Sequence, residues 1–208
     1  MNNTLPWIAV LISFLIVIGY EVQIGRAARK NPAATARSNH LLLRAQWVAA
    51  LAKQEGSEMV AVQALRNSLM SATINASTAA LAMMGSISLI ESKGGLLKTL
   101  SLHVALEICL VGTLFATYVC SALSMRFIHH AGFALSLPVG SPERENYIAL
   151  AVTYVQRGGQ LYSWSLRFFL FAAPIVLGLI QPLAMPLGAV VLLLVLTQFD
   201  RAPKPIKS

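Results

Sequence analysis

The sequence predicts an all-α fold, a polytopic bundle of transmembrane helices with five crossings favoured and four as the alternative, plus one or two helices along the cytoplasmic face. Three observations point there. The chain has 56% hydrophobic and only 12% charged residues over 208 positions, with a mean hydropathy of +0.66, whereas about a quarter of the residues of a soluble domain are charged. Its apolar residues gather into long segments near 5–25, 67–90, 104–126, 164–181 and 183–199, each close to the ~20 residues that a bilayer requires. The polar stretches between them are too short for a separate soluble domain, so residues 1–208 are expected to form a single transmembrane domain.

The first segment, LPWIAVLISFLIVIGY (5–20), lacks the basic leader of a secretory signal and is followed by Arg26, Arg29 and Lys30. That order describes an anchor with its N-terminus outside and its other end held in the cytoplasm. Residues 26–66 carry seven basic residues against two acidic ones, which assigns them to the cytoplasmic side. Within them, HLLLRAQWVAALAKQ (40–54) places Leu43, Trp47, Ala50 and Leu51 on one side of a helix, read as lying along the membrane surface. Gly56 ends it, and Ser57 is the expected N-cap of the next helix.

That next helix runs from about Glu58 to Ile90, roughly 50 Å at 1.5 Å per residue, against a hydrocarbon core of ~30 Å. Its first three turns, with Gln63 and Arg66, are therefore expected at the cytoplasmic boundary. ESKGG (91–95) makes the outer turn, and a third helix over about 104–128 returns inward to MRFIHH (125–130). Ser141, Pro142 and Glu143 form a helix start, cap, first turn and dipole-matched acid in order. A second surface helix over 142–157 is expected to stop at Gly158-Gly159. The last apolar region, 164–199, would measure about 54 Å as one helix, and QPLAMP (181–186) divides it into two crossings.

Charge selects between the topologies. Five crossings place fourteen of the sixteen basic residues in the cytoplasm, leaving Lys93 and Lys98 outside, whereas four crossings divide them eleven to five. The positive-inside rule favours five, with the N-terminus outside and the C-terminus cytoplasmic. The net charge of +8 thus belongs to topology and anionic headgroups; no nucleic-acid-binding module is present, and no nucleic-acid partner is expected. Cys109 and Cys120 stand about 16 Å apart along one helix, too far for a disulfide.

Two polar seams run through the apolar segments. Ser68, Ser71, Asn75, Thr78, Ala82 and Gly85 recur at helical spacing in the second crossing. In the third, Cys109, Gly112, Ala116 and Cys120 lie beside Thr113, Thr117, Ser121 and Ser124. Small residues let helices approach where lipid supplies no hydrophobic drive; a solute path is the alternative reading. Asn75 and Thr78 are the intramembrane polar candidates, Asn75 because its amide needs several partners.

At the cytoplasmic boundary Arg66 and Asn67, Arg126 and His130, and Arg167 share one expected depth. Three guanidiniums at one level repel unless an anion joins them. One reading has them snorkel to lipid phosphates; the other makes them a site for a phosphate- or carboxylate-bearing ligand, most simply an anionic lipid headgroup. His103 and Glu107, at i and i+4, lack a third ligand, so no metal is expected. No nucleophile elbow, phosphate-binding glycine loop or carboxylate pair supports catalysis or a cofactor.

Five segments carry a family resemblance: RAQWV (44–48), AVQALRNSLMSAT (61–73), MRFIHHAGF (125–133), RGGQLYSWSLRFF (157–169) and the closing FD (199–200). They resemble the bacterial and plant membrane proteins grouped as domain of unknown function 599. The resemblance implies a helical membrane protein without an assigned activity and singles out Gln63, Arg66, Asn67, Arg126, His130, Arg157 and Arg167. The expected function is binding of an anionic lipid or small anionic solute at the cytoplasmic face, with transport as one setting. The alternative is an accessory subunit whose seams dock a larger membrane complex; a homo-oligomer with bound lipid belongs to the first reading.

Overall fold

The computed structural model describes residues 4–30, 36–92 and 101–201. Six α-helices follow one another: α1 (Thr4–Lys30), α2 (Ala36–Lys53), α3 (Glu58–Ser92), α4 (Leu102–Leu135), α5 (Pro142–Ile180) and, after a 3-10 turn over Pro182–Ala184, α6 (Met185–Asp200). All but α2 lie in helical segments long and apolar enough to cross a membrane. Among the described residues there is no sheet. The expected outer turn at 91–95 falls mostly outside the described residues, as do Lys93, Lys98, Lys204 and Lys207.

Most expected boundaries recur. Gly56, at φ +74°, separates α2 from α3, a backbone conformation that costs glycine little. Ser141 caps α5, its Oγ accepting from the Arg144 N–H at 3.2 Å. Ser57 precedes α3, and its hydroxyl donates to the Leu51 carbonyl at 2.7 Å, closing the end of α2. The expected stop at Gly158-Gly159 does not occur: the proposed surface helix and the fourth crossing are one helix, α5. Both glycines keep negative φ. Their use is close approach, since a Cβ on Gly158 would sit 2.8 Å from Ile128 Cγ1, and the Gly158 carbonyl accepts from Ser124 Oγ at 2.7 Å.

The helices divide into two compact units. The first comprises the described residues of 1–39, 81–115 and 168–208. Val10, Leu106, Leu110, Leu114, Ala172, Ile175 and Met185 form its larger core, and Tyr20, Leu192 and Leu196 a smaller one. Tyr20 donates to Asp200 Oδ2 at 2.9 Å, joining α1 to α6 where both groups are buried. Arg37 pairs with Glu21 at 3.5 Å.

The second unit comprises 40–80 and 116–167, with a core of Val48, Leu51, Ala61, Leu65, Ile128, Ala131, Leu135, Ala151 and Val155. Arg144, 2% exposed, organises one end of it. Its Nη1 donates to the carbonyls of Leu135 at 3.1 Å and of Leu137, and its Nη2 to that of Leu51 at 2.9 Å. Glu58 Oε1 lies 3.6 Å away and accepts from the Val139 N–H at 3.1 Å. One cation thereby satisfies the orphan carbonyls at the ends of α2 and α4, where the helix dipoles also favour positive charge.

Candidate functional site

The buried faces differ from the expected seams. On α3 they are Ala61, Leu65, Ala72, Ala76 and Ala79, while Ser68, Ser71, Thr78, Ala82 and Gly85 are exposed. Alanine gives the same close approach as serine without a hydroxyl to satisfy, so the small-residue rule holds on a neighbouring face. On α4 the buried polar line is Thr117, Ser121 and Ser124, with Gly112 exposed. Asn75 is an interhelical clamp: its Nδ2 donates to Ser121 Oγ at 3.2 Å and to Ser165 Oγ, and Ser165 Oγ donates to the Thr117 carbonyl at 3.0 Å. Thr78 returns its hydrogen bond to Ile74 of its own helix at 2.8 Å.

The buried face of α2 is likewise turned relative to expectation. Leu43 and Ala50 are exposed, whereas Val48 and Leu51 are buried, with Arg44 partly buried in the same row. An arginine at i, with apolar residues at i+4 and i+7, must extend across the packed face. It enters a cleft of about 270 Å³ lined by Arg44, Asn67, Ser68, Ser71, Gly159 and Tyr162, with Leu65, Ile128 and Val155 as its apolar walls. The volume is near the lower end of small-ligand sites, the size of a headgroup or a small anion.

Gly159 shapes this cleft. A Cβ there would overlap Cζ and Nη1 of Arg44 and lie 2.5 Å from its Nε, so the guanidinium occupies the place of the missing side chain. Contact with the helix surface covers part of the cation, and burial lowers its pKa from the ordinary guanidinium value. The group stays protonated at any physiological pH. Among the described residues no hydrogen bond or ion pair engages it. A partly desolvated cation without an anion is an unfavourable arrangement that a ligand carboxylate or phosphate would relieve.

Around Arg44, Ser68 Oγ donates to the Ala64 carbonyl at 3.2 Å and Ser71 Oγ to the Asn67 carbonyl at 3.1 Å. Their remaining lone pairs, the Asn67 amide and the Tyr162 hydroxyl complete the polar lining.

Of the seven residues singled out from the sequence, Asn67 alone lines this cleft. Arg66 lines a separate one of about 340 Å³ with His129, Leu69, Met70, Thr73 and Ile74. His130 packs against Tyr154 with ring centroids 5.6 Å apart, and the Arg157 guanidinium lies 6.0 Å from the centroid of Phe127. Gln63 and Arg126 are exposed, and Arg167 is buried. His103 Nε2 and Glu107 Oε1 approach to 3.3 Å, and no group of three His, Cys, Asp or Glu residues able to hold a metal occurs among the described residues.

A family model described as "Protein of unknown function, DUF599" matches residues 8–205, nearly the whole chain. The chain belongs to the DUF599 family. No curated protein and no solved structure matches it. In this DUF599 chain the cleft draws on four of the five motif segments, RAQWV through Arg44, AVQALRNSLMSAT through Leu65, Asn67, Ser68 and Ser71, MRFIHHAGF through Ile128, and RGGQLYSWSLRFF through Gly159 and Tyr162. Sequence reasoning counted Arg44 as a topological charge and Gly159 as a helix stop, and placed both in family segments without singling either out as a site residue. The available signal was the row Arg44, Val48, Leu51, a charge in register with apolar neighbours.

Proposed function

We propose that this DUF599 protein is a membrane-embedded binding protein for a phosphate- or carboxylate-bearing ligand, held in the Arg44 cleft. The observation that carries the reading is the unpaired, partly buried Arg44 guanidinium set against Gly159 in a cleft with both polar and apolar walls. A guanidinium presents a planar fork of N–H donors that matches two-oxygen anions, and its weak hydration lowers the cost of its partial burial. The basic residues concentrated in 26–66 support a cytoplasmic position for the cleft in a bacterial inner membrane, with the N-terminus outside and the C-terminus inside.

The test compares wild type with Arg44→Gln, both purified from native membranes and analysed by native mass spectrometry. Wild type is expected to retain an anionic adduct that the variant loses while its melting temperature stays within a few degrees. Equal retention by both proteins overturns the reading. A second reading, an accessory or assembly subunit, is favoured by the exposed small residues of α3, where Thr78, Ala82 and Gly85 would let another helix approach closely. A stoichiometric larger partner in native purification would support it.

A further inference from the structure

We infer that the ligand of the Arg44 cleft carries hydroxyl donors beside its anionic group, so that its chemical class is a hydroxylated phosphate such as a glycerol phosphate. The inference rests on the cleft binding an anion and follows from what its other polar groups have left to offer. A serine hydroxyl has one hydrogen and two lone pairs. The hydrogens of Ser68 and Ser71 go to the carbonyls of Ala64 and Asn67, each four residues back on α3, the usual use of serine in an apolar helix. Both residues line the cleft, and with their hydrogens engaged their oxygens are left to act as acceptors. A carboxylate or the dianion of a simple phosphate monoester has no hydrogen to give them, and its negative charge beside two lone pairs is repelled.

Tyr162 and the Asn67 amide each supply a donor and an acceptor, and neither has a hydrogen-bond partner for its side chain among the described residues. The cleft thus divides into a donor end at Arg44, suited to a phosphate, and an acceptor edge at Ser68 and Ser71, suited to ligand hydroxyls. Leu65, Ile128 and Val155 provide walls for a short carbon skeleton between the two. Both a glycerol-bearing lipid headgroup and a free sugar or glycerol phosphate have this chemistry.

The test is calorimetric titration of the full-length protein in nanodiscs of neutral lipid. The probes are glycerol phosphate and methyl phosphate, which share the anion and differ in hydroxyls. In parallel, native mass spectrometry follows retention of phosphatidylglycerol against phosphatidic acid. Glycerol phosphate is expected to bind about tenfold more tightly than methyl phosphate, the scale of two added hydrogen bonds. Ser68→Ala combined with Ser71→Ala is expected to abolish the difference in affinity between the two probes; a difference that persists in the double variant overturns the inference. Both serines are exposed, so the fold tolerates the change, which a melting curve verifies. Selective retention of phosphatidylglycerol alone assigns the lipid source, and glycerol phosphate binding alone the free source; either supports the inference. Arg44-dependent binding with equal affinity for both soluble probes and for both lipids overturns the inference and leaves anion binding intact. Binding of none of the probes, indifferent to Arg44→Gln, overturns both.

Discussion

Gly159→Ala separates function from stability in a way that few single changes can. Replacing glycine by alanine within α5 should by itself stabilise the helix by about 0.5–1 kcal/mol. The new methyl group meets a guanidinium, the mobile end of a long side chain, rather than backbone. Arg44 must retreat by at least about 0.9 Å for its Nε, now 2.5 Å from the Cβ position, to reach ordinary contact near 3.4 Å. A donor placed 2.9 Å from a ligand oxygen and moved that far leaves hydrogen-bond range. Losing one charge-assisted hydrogen bond costs about 1.5–3 kcal/mol, or roughly tenfold to a hundredfold in Kd. The expected outcome is a melting temperature equal to or above that of wild type, together with a tenfold or greater loss of affinity measured by calorimetry. On the R44K background the same change should matter little, because an unbranched ammonium stem has no planar head to displace. Undiminished affinity in the Gly159→Ala protein would refute the assigned geometry.

Four further outcomes follow from the contacts. Arg144→Gln should lower stability by about 1–3 kcal/mol in a detergent melt, because it removes the guanidinium donors to the Leu135 and Leu137 carbonyls and leaves that of Leu51 to Ser57; an unchanged melt would contradict its role as the joint between α2, α4 and α5. Asn75→Ala should cost about 0.6–1.7 kcal/mol, the range of interhelical hydrogen bonds in a bilayer, and leave anion affinity unaltered, as titration would show. Tyr20→Phe removes one hydrogen bond to the buried Asp200 carboxylate and should cost about 1–3 kcal/mol, read by the same melt. A cysteine-labelling reporter at the C-terminus should be reached only from the cytoplasmic side; labelling from outside would favour four crossings.

How much of this was legible in the sequence depends on what fixes each feature. The long apolar segments set the helices, because a bilayer-length run leaves few alternatives. The proline pair around 182–186 set the break before α6, since proline lacks the N–H that would continue the preceding turns. The Ser141 cap was legible because its hydrogen bond is local. Gly158-Gly159 misled because a glycine pair reads equally as a stop or as a place of close packing, and only the tertiary neighbours Ile128 and Arg44 decide. The α3 seam was displaced for a related reason. In a helix apolar on every side, small serines and small alanines both permit approach, and periodicity alone does not fix the azimuth.

The site shows the same division. Arg66, Arg126, His130 and Arg167 were grouped by depth, which the position along a helix sets, whereas sharing a cavity requires their rotation about the helix axes. Arg44 escaped notice because α2 has too many apolar residues for its buried face to stand out. Arg144 carries no mark in the sequence at all, since its partners are backbone carbonyls, which every residue possesses.

The most direct measurement is an experimental density map of wild-type protein extracted with native lipid, viewed around Arg44, Asn67 and Tyr162. An ordered non-protein feature within hydrogen-bond distance of the Arg44 guanidinium, with the side chain lying against Gly159, is the predicted result. A guanidinium turned out to solvent or paired with a protein carboxylate, beside a cleft closed by its own walls, would contradict the account.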